Sequence, residues 1–208
     1  MERKNFAHAL LSLSRGDLET LSPIWREKKV NLNSFIINHG KKIYFREKID
    51  VCLDGFLEDF LNLVDQPMLE VEFYRLGINF IKKGKFKNLR YLVEQNLVDL
   101  RKNFKVSDEM IFFDRDGITL THYIPLVLDL DENEKITETF KVLKNSGDLS
   151  KTAMVEGKNQ SPMDLMVRVA RRQKDYGDRY LDLIEKDAIS PVEITQNLRS
   201  IPTCGWKD

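Results

Sequence analysis

Apolar residues recur at the same offsets behind three glycines. Leu18, Leu21, Ile24 and Trp25 follow Gly16, Leu57, Phe60, Leu63 and Val64 follow Gly55, and Phe86, Leu89, Leu92 and Val93 follow Gly84. Positions three, six and seven residues beyond the first apolar one fall on one stripe of a helix. The pattern predicts a helix of two to three turns behind each glycine, with Leu57, Phe60, Leu89 and Leu92 turned toward neighbouring helices. The flanking words agree, Gly16-Asp17-Leu18-Glu19 against Gly55-Phe56-Leu57-Glu58. Two of these helices run into similar endings, Lys28-Lys29-Val30-Asn31-Leu32-Asn33 and Gln95-Asn96-Leu97-Val98-Asp99-Leu100. Asn96 suits a left-handed cap there, because Asn tolerates positive φ better than most residues. Gly147, in Asn145-Ser146-Gly147-Asp148-Leu149, suits the same role.

Helix starts are legible in the second half. Asp116-Gly117-Ile118-Thr119-Leu120-Thr121-His122 reads as a turn feeding a capped helix, and Gly157-Lys158-Asn159-Gln160-Ser161-Pro162-Met163-Asp164-Leu165 has the same shape. Ser161 is an N-cap, and Pro162 fits the first helical position, where its missing N–H costs nothing. Thr119 is the matching cap. Ser190-Pro191-Val192-Glu193 reads as the start of a last, capping helix.

These segments resemble the ankyrin repeat. Gly16-Asp17-Leu18-Glu19 through Val30-Asn31-Leu32-Asn33 is similar to its second helix and ending, as is Ile81-Lys82-Lys83-Gly84 through Asp99-Leu100. Asp116-Gly117-Ile118-Thr119-Leu120-Thr121-His122 is similar to its turn and first-helix start, with Leu120 in place of Pro, and Ser161-Pro162-Met163-Asp164 is a variant with Asp in place of His. The glycines are spaced unevenly, at 16, 55 and 84, against a period of about 33 for the family. Arg101 to Phe113 reads as an insertion, and Ser34 to Tyr44 carries no repeat signature. The resemblance implies an all-α, short ankyrin-like solenoid of stacked helix-turn-helix repeats, with turns or hairpin tips between them. It implies one domain over residues 1–208, with irregular repeats at about 6–33, 45–76, 77–113, 114–156 and 157–188 and a C-terminal cap over 189–208.

Charge narrows the function. Lys and Arg number 33, Asp and Glu 33, so the formal net charge is zero, and a general nucleic-acid binder needs excess positive charge to displace counterions from phosphates. Cys52 and Cys204 are far apart and outside any Cys-x-x-Cys spacing, so neither a disulfide framework nor a zinc site is expected. No stretch approaches the ~20 apolar residues of a membrane span, and the start shows no signal-peptide pattern. A cytoplasmic protein, or one secreted without a cleaved signal, is the expectation, as a monomer.

Several motifs invite chemistry and lack its parts. Asp129-Leu130-Asp131-Glu132-Asn133 opens like a calcium loop, yet Glu134 stands where the turn wants glycine and Phe140 where a bidentate Glu belongs. His8, His39 and His122 never fall at paired helical spacing, and no phosphate-binding glycine loop is present. His122 reads as structural, and within the resemblance it would hydrogen-bond around the turn. No catalytic residue, metal or cofactor is therefore expected.

The reading is a non-catalytic protein–protein interaction module, acting as an inhibitor or immunity protein, an adaptor or a bacterial effector. The contact residues expected are Lys82, Lys83, Arg115, Tyr123, Arg171 and Arg172, with Phe112 and Phe113 as aromatic anchors on the inserted segment. The alternative is a helical nucleic-acid-binding protein using the basic face of Lys82, Lys83, Lys85, Lys87 and Arg90.

Overall fold

Gly16, Gly55 and Gly84 all adopt positive φ, at 69°, 90° and 63°, and a helix begins two residues after each. Those helices are α2 (Leu18–Arg26), α3 (Leu57–Leu63) and α5 (Phe86–Glu94). Two longer helices precede the first and third glycines, α1 (Arg3–Arg15) and α4 (Glu70–Lys82). Gly16 and Gly84 close them in the same way: Asp17 N–H reaches Ser12 O at 2.9 Å and Lys85 N–H reaches Phe80 O at 2.8 Å. That six-to-one bond needs a left-handed residue at the turn, which glycine adopts without strain. The computed structural model describes residues 3–107, 110–127 and 151–165, and the chain divides into two compact units, Met1–Val98 and Asp99–Asp208.

The first unit contains two copies of one helix pair. Gly84 lies 68 residues after Gly16 (84 − 16 = 68), and at that same offset Tyr74 matches Phe6, Gly77 matches Ala9, Ile81 matches Leu13 and Leu89 matches Leu21, all buried. The endings match as well. Lys28 and Asn96 both take φ of 55°, and Lys29 N–H to Ile24 O (3.1 Å) repeats as Leu97 N–H to Leu92 O (2.9 Å). Asn96 is thus the left-handed cap that its side chain suggests. Between the pairs, a 3-10 helix, η1 (Phe45–Val51), and α3 complete the unit, with α3 packed on α2 and α5. Leu57, Phe60, Leu89 and Leu92 are fully buried there. Phe45 sits edge-on to Phe6 and Trp25, with ring centroids 5.5 Å apart in each pair, and Trp25 meets Phe60 at 5.4 Å. Burying each such ring contributes roughly 1.5–3 kcal/mol.

The all-α expectation is corrected by three antiparallel hairpins, β1–β2 (Phe35–Asn38, Lys41–Tyr44), β3–β4 (Phe104–Ser107, Met110–Phe113) and β5–β6 (Ala153–Val155, Lys158–Gln160). The protein is mixed α/β, not an all-α solenoid. Ser34 to Tyr44 and the supposed insertion at Arg101 to Phe113 are the first two hairpins. Their strands are rich in β-branched and aromatic residues, which favour a pleated surface. The turns supply the rest: His39 and Gly40 have φ of 46° and 78°, Glu156 and Gly157 have 50° and 75°. Two successive positive φ values are what a two-residue hairpin turn requires.

In the second unit, β3 is anchored by Phe104 N–H donating to Ile118 O at 2.7 Å, and α6 (Leu120–Val127) follows. Its start is the expected cap. His122 N–H donates to Thr119 Oγ1 at 3.3 Å, while His122 Nδ1 accepts from Thr119 N–H at 3.3 Å. Ser161 and Asp164 repeat the arrangement, with Ser161 N–H to Asp164 Oδ2 at 2.8 Å and Asp164 N–H to Ser161 Oγ at 3.1 Å. The same third-residue acceptor recurs where the sequence alone gave no cap, as Tyr44 N–H to Glu47 (3.1 Å) and Leu69 N–H to Glu72 (2.7 Å). Each satisfies a donor that a helix start would otherwise leave open.

Candidate functional site

Hairpin β3–β4 carries the candidate aromatic anchors Phe112 and Phe113. Its register pairs Phe104 with Phe113, Lys105 with Phe112, Val106 with Ile111 and Ser107 with Met110. Side chains alternate between faces along a strand. One face therefore carries Phe104, Ile111, Val106 and Phe113, and the other carries Lys105, Phe112, Ser107 and Met110. Phe104 and Ile111 are buried and fix the hairpin to its unit. Phe112 remains 46% exposed, Phe113 39% and Met110 54%. Phe112 and Phe113, the candidate aromatic anchors, are exposed on opposite faces of one ribbon.

Charges frame this ribbon. Lys102 Nζ lies 3.7 Å from the centroid of Phe113, a cation–π contact. Lys105 and Asp114 pair at 2.8 Å. Their hydrogen bond holds the Asp114 carboxyl below its ordinary range and raises the Lys105 ammonium. Arg115 is exposed in the turn that follows, where Gly117 N–H donates to Asp114 O at 3.0 Å. Tyr123 is half-buried instead, its ring 6.3 Å from Phe104. Arg171 and Arg172 lie outside the described residues, as does the acidic segment Asp129 to Glu138.

Lys82 and Lys83 belong to the other unit, at the C-terminal end of α4, and both are exposed. Lys83 Nζ pairs with Asp50 at 2.6 Å, and the Asp50 carboxylate is itself mostly covered. Elsewhere in the basic run, Lys85 Nζ turns inward and donates to Asp50 O at 2.9 Å and Cys52 O at 2.6 Å. Burial lowers the Lys85 pKa. Arg90 pairs with Glu94 at 2.6 Å, and the aliphatic stem of Lys87 lies against Gly55. At least three of the five cations thus have acceptors within the protein. Lys83→Glu should set two carboxylates together and cost about 1 kcal/mol, more than an unpaired surface lysine would. Urea denaturation at low and high salt checks this, the loss shrinking as salt screens the repulsion; an unchanged midpoint at low salt would show that the pair contributes nothing.

Cys52 is fully buried, and desolvation pushes its thiol up to about 12. A thiol so placed is not a nucleophile near neutral pH. Among the described residues, no three His, Cys, Asp or Glu side chains gather as a metal site would need, and no helix is long and apolar enough to cross a membrane.

Sequence reasoning missed all three hairpins, and of β1–β2 and β5–β6 it singled out no contact residue. Ile37, at the tip of β1–β2, is 52% exposed, and Met154 on β5 is 59% exposed. Their signals were the pairs His39-Gly40 and Glu156-Gly157 between short runs of β-forming residues. Searches against family models, curated proteins and solved structures find no match to this chain.

Proposed function

We propose that this chain is a non-catalytic protein-binding module whose contacts are made by its β-hairpins. One observation carries the reading. Of the eleven large apolar side chains exposed among the described residues, six (Ile37, Val106, Met110, Phe112, Phe113 and Met154) sit on the short hairpin strands, and the other five (Leu11, Leu18, Leu53, Leu69 and Leu126) are scattered over helices and loops. Exposed apolar side chains gathered on projecting ribbons are what a partner's apolar surface can cover, and aromatics in such places often supply much of the binding energy. The inward engagement of Lys85 and the pairing of Lys83 and Arg90 weigh against a nucleic-acid face over residues 82–90, since phosphate binding draws on uncommitted cations. Kinship with the ankyrin family is part of the proposal. It is supported by the Thr119–His122 cap and by helix pairs followed by hairpins, the family's unit being a turn with two helices.

The test replaces Met110 and Phe112, which share one exposed face of β3–β4, by Ser. A photocrosslinking residue at position 105 of the full chain first identifies the protein bound in native lysate. The double variant should keep its melting temperature and lose that protein at least tenfold, which corresponds to about 1.4 kcal/mol. Equal binding by the variant would place the contact elsewhere, and no crosslink to any protein would count against the module itself.

A further inference from the structure

Hairpin β1–β2 is exposed over its turn-side half, where Ile37, Asn38, Lys41 and Lys42 lie in solvent, while Phe35, Ile36, Ile43 and Tyr44 at its base are half-buried. None of its eight strand residues is buried, although Phe35, Ile36, Ile37, Ile43 and Tyr44 are residue types that normally pack. An isolated two-stranded ribbon is marginal in water, and packing at the base accounts for four of these side chains but not for Ile37, which is 52% exposed near the turn. Charge adds a second observation. From Lys28 to Arg46 the chain carries five Lys or Arg and no Asp or Glu, while Asp and Glu make up 33 of 208 residues overall. Two of those cations are matched from outside the stretch, Lys29 by Glu27 and Arg46 by Glu72. Lys41 and Lys42 have no acidic partner among the described residues, and Lys42 Nζ lies 4.7 Å from the Phe35 centroid.

We infer that this hairpin docks an acidic, aliphatic-rich segment of another protein across its face. The inference rests on the protein-binding reading above and specifies a separate surface with its own partner chemistry. The edges of the ribbon are already occupied: Arg3 Nη2 donates to Ile37 O at 2.9 Å on β1, and Glu47 accepts from Tyr44 N–H at 3.1 Å on β2. Both backbone groups belong to cross-strand pairs whose N–H and C=O point outward, the register being Ile37 with Lys42 and Phe35 with Tyr44. A partner that added a strand would have to displace both contacts, whereas one lying over the face of Phe35, Ile37, Lys42 and Tyr44 meets exposed Ile37 and Lys42, with Lys41 on the opposite face beside the turn. The two rings on that face are already engaged, Phe35 beneath Lys42 Nζ and against Tyr44, so the exposed apolar group there is Ile37, which matches a protein side chain and offers no flat surface for a base. A second copy of this chain would bring lysine against lysine, which like-charge repulsion opposes.

A random-peptide display library panned on the full chain tests it, with counter-selection on two variants. One is Ile37→Ser with Lys42→Glu; the second is Lys41→Glu with Lys42→Glu, which leaves the apolar residues in place. Peptides enriched on the wild type should combine Asp or Glu with Leu, Ile or Val, bind at least tenfold more weakly to either variant, and weaken further with salt. Enriched peptides that ignore both variants, or carry no acidic excess, overturn the inference. If they respond only to the Met110 and Phe112 substitutions, the protein-binding reading stands and this surface falls; if no peptide is enriched at all, both fall. Retention of a single-stranded oligoribonucleotide or of phosphatidylserine vesicles by the wild type, lost in the variants, would assign the hairpin to those ligands and overturn the protein assignment.

Discussion

Replacing Asn88 by Ala should destabilise the first unit by about 2–3 kcal/mol, a substantial part of an ordinary domain's stability. Asn88 is fully buried in α5, yet its bonds all run to the loop before α3. Its Oδ1 accepts from Gly55 N–H at 2.8 Å and Leu57 N–H at 3.3 Å, and its Nδ2 donates to Leu53 O at 3.0 Å. The Asn88 N–H returns the tie by donating to Asp54 Oδ1 at 3.0 Å. Alanine would leave two donors and one acceptor without their partner, the Leu57 N–H in a buried residue at about 1–3 kcal/mol, and the Gly55 N–H and Leu53 O in exposed residues where water replaces part of the loss. Asn88→Asp separates the contributions, because it keeps the acceptor but sets a carboxylate oxygen against Leu53 O, and it should recover little. Urea denaturation followed by Trp25 fluorescence, in a Trp206→Phe background, reads the first unit directly. A loss below about 1 kcal/mol would mean that this side chain does not hold the loop.

The helix pairs were legible and the hairpins were not, for a reason visible in particular residues. Gly16, Gly55 and Gly84 adopt the positive φ that makes a glycine useful, and the apolar stripe behind each is long enough to show a helical period. Strands of three or four residues show no period at all. Ile36, Ile37 and Ile43 fit one turn of a buried helix as well as they fit a ribbon. The decisive turn positions, His39 and Glu156, are non-glycine residues held at positive φ, and neither letter announces that state. The candidate contacts divide along the same line. Phe112 and Phe113 stood out because four apolar residues in a row before an Asp-rich turn are conspicuous, and both are exposed. Lys85 stood out through the density of its neighbours, but its acceptors, the backbone carbonyls of Asp50 and Cys52, come from a loop more than thirty residues away. Sequence density counts charges and does not show which are already matched.

Gly117→Ala should be the more damaging substitution in the second unit, although alanine is ordinarily the mildest change for glycine. Gly117 is buried, and a Cβ built on it would lie 2.4 Å from Phe104 O, 2.6 Å from Phe104 C and 2.8 Å from Phe104 N. All three are backbone atoms, so no side chain can rotate aside, and β3 itself would have to move. That movement pulls on Phe104 N–H to Ile118 O at 2.7 Å and on Asp114 N–H to Asn103 O at 3.2 Å, the bonds that tie the hairpin to the segment entering α6. It also displaces the buried Phe104 ring, which anchors the ribbon. Overpacking against a rigid neighbour costs typically 1–3 kcal/mol and more where backbone must shift, so a loss of about 3 kcal/mol or greater is expected here. Amide hydrogen exchange across residues 103–118 checks it: protection at Phe104 should fall about a hundredfold or more, since each tenfold corresponds to roughly 1.4 kcal/mol. The first unit provides an internal reference, and protection at Leu89 should stay unchanged. If Phe104 keeps its protection in the alanine variant, the close approach of Gly117 to β3 is not what holds this hairpin, and the exposure of Phe112 would have to be explained without it.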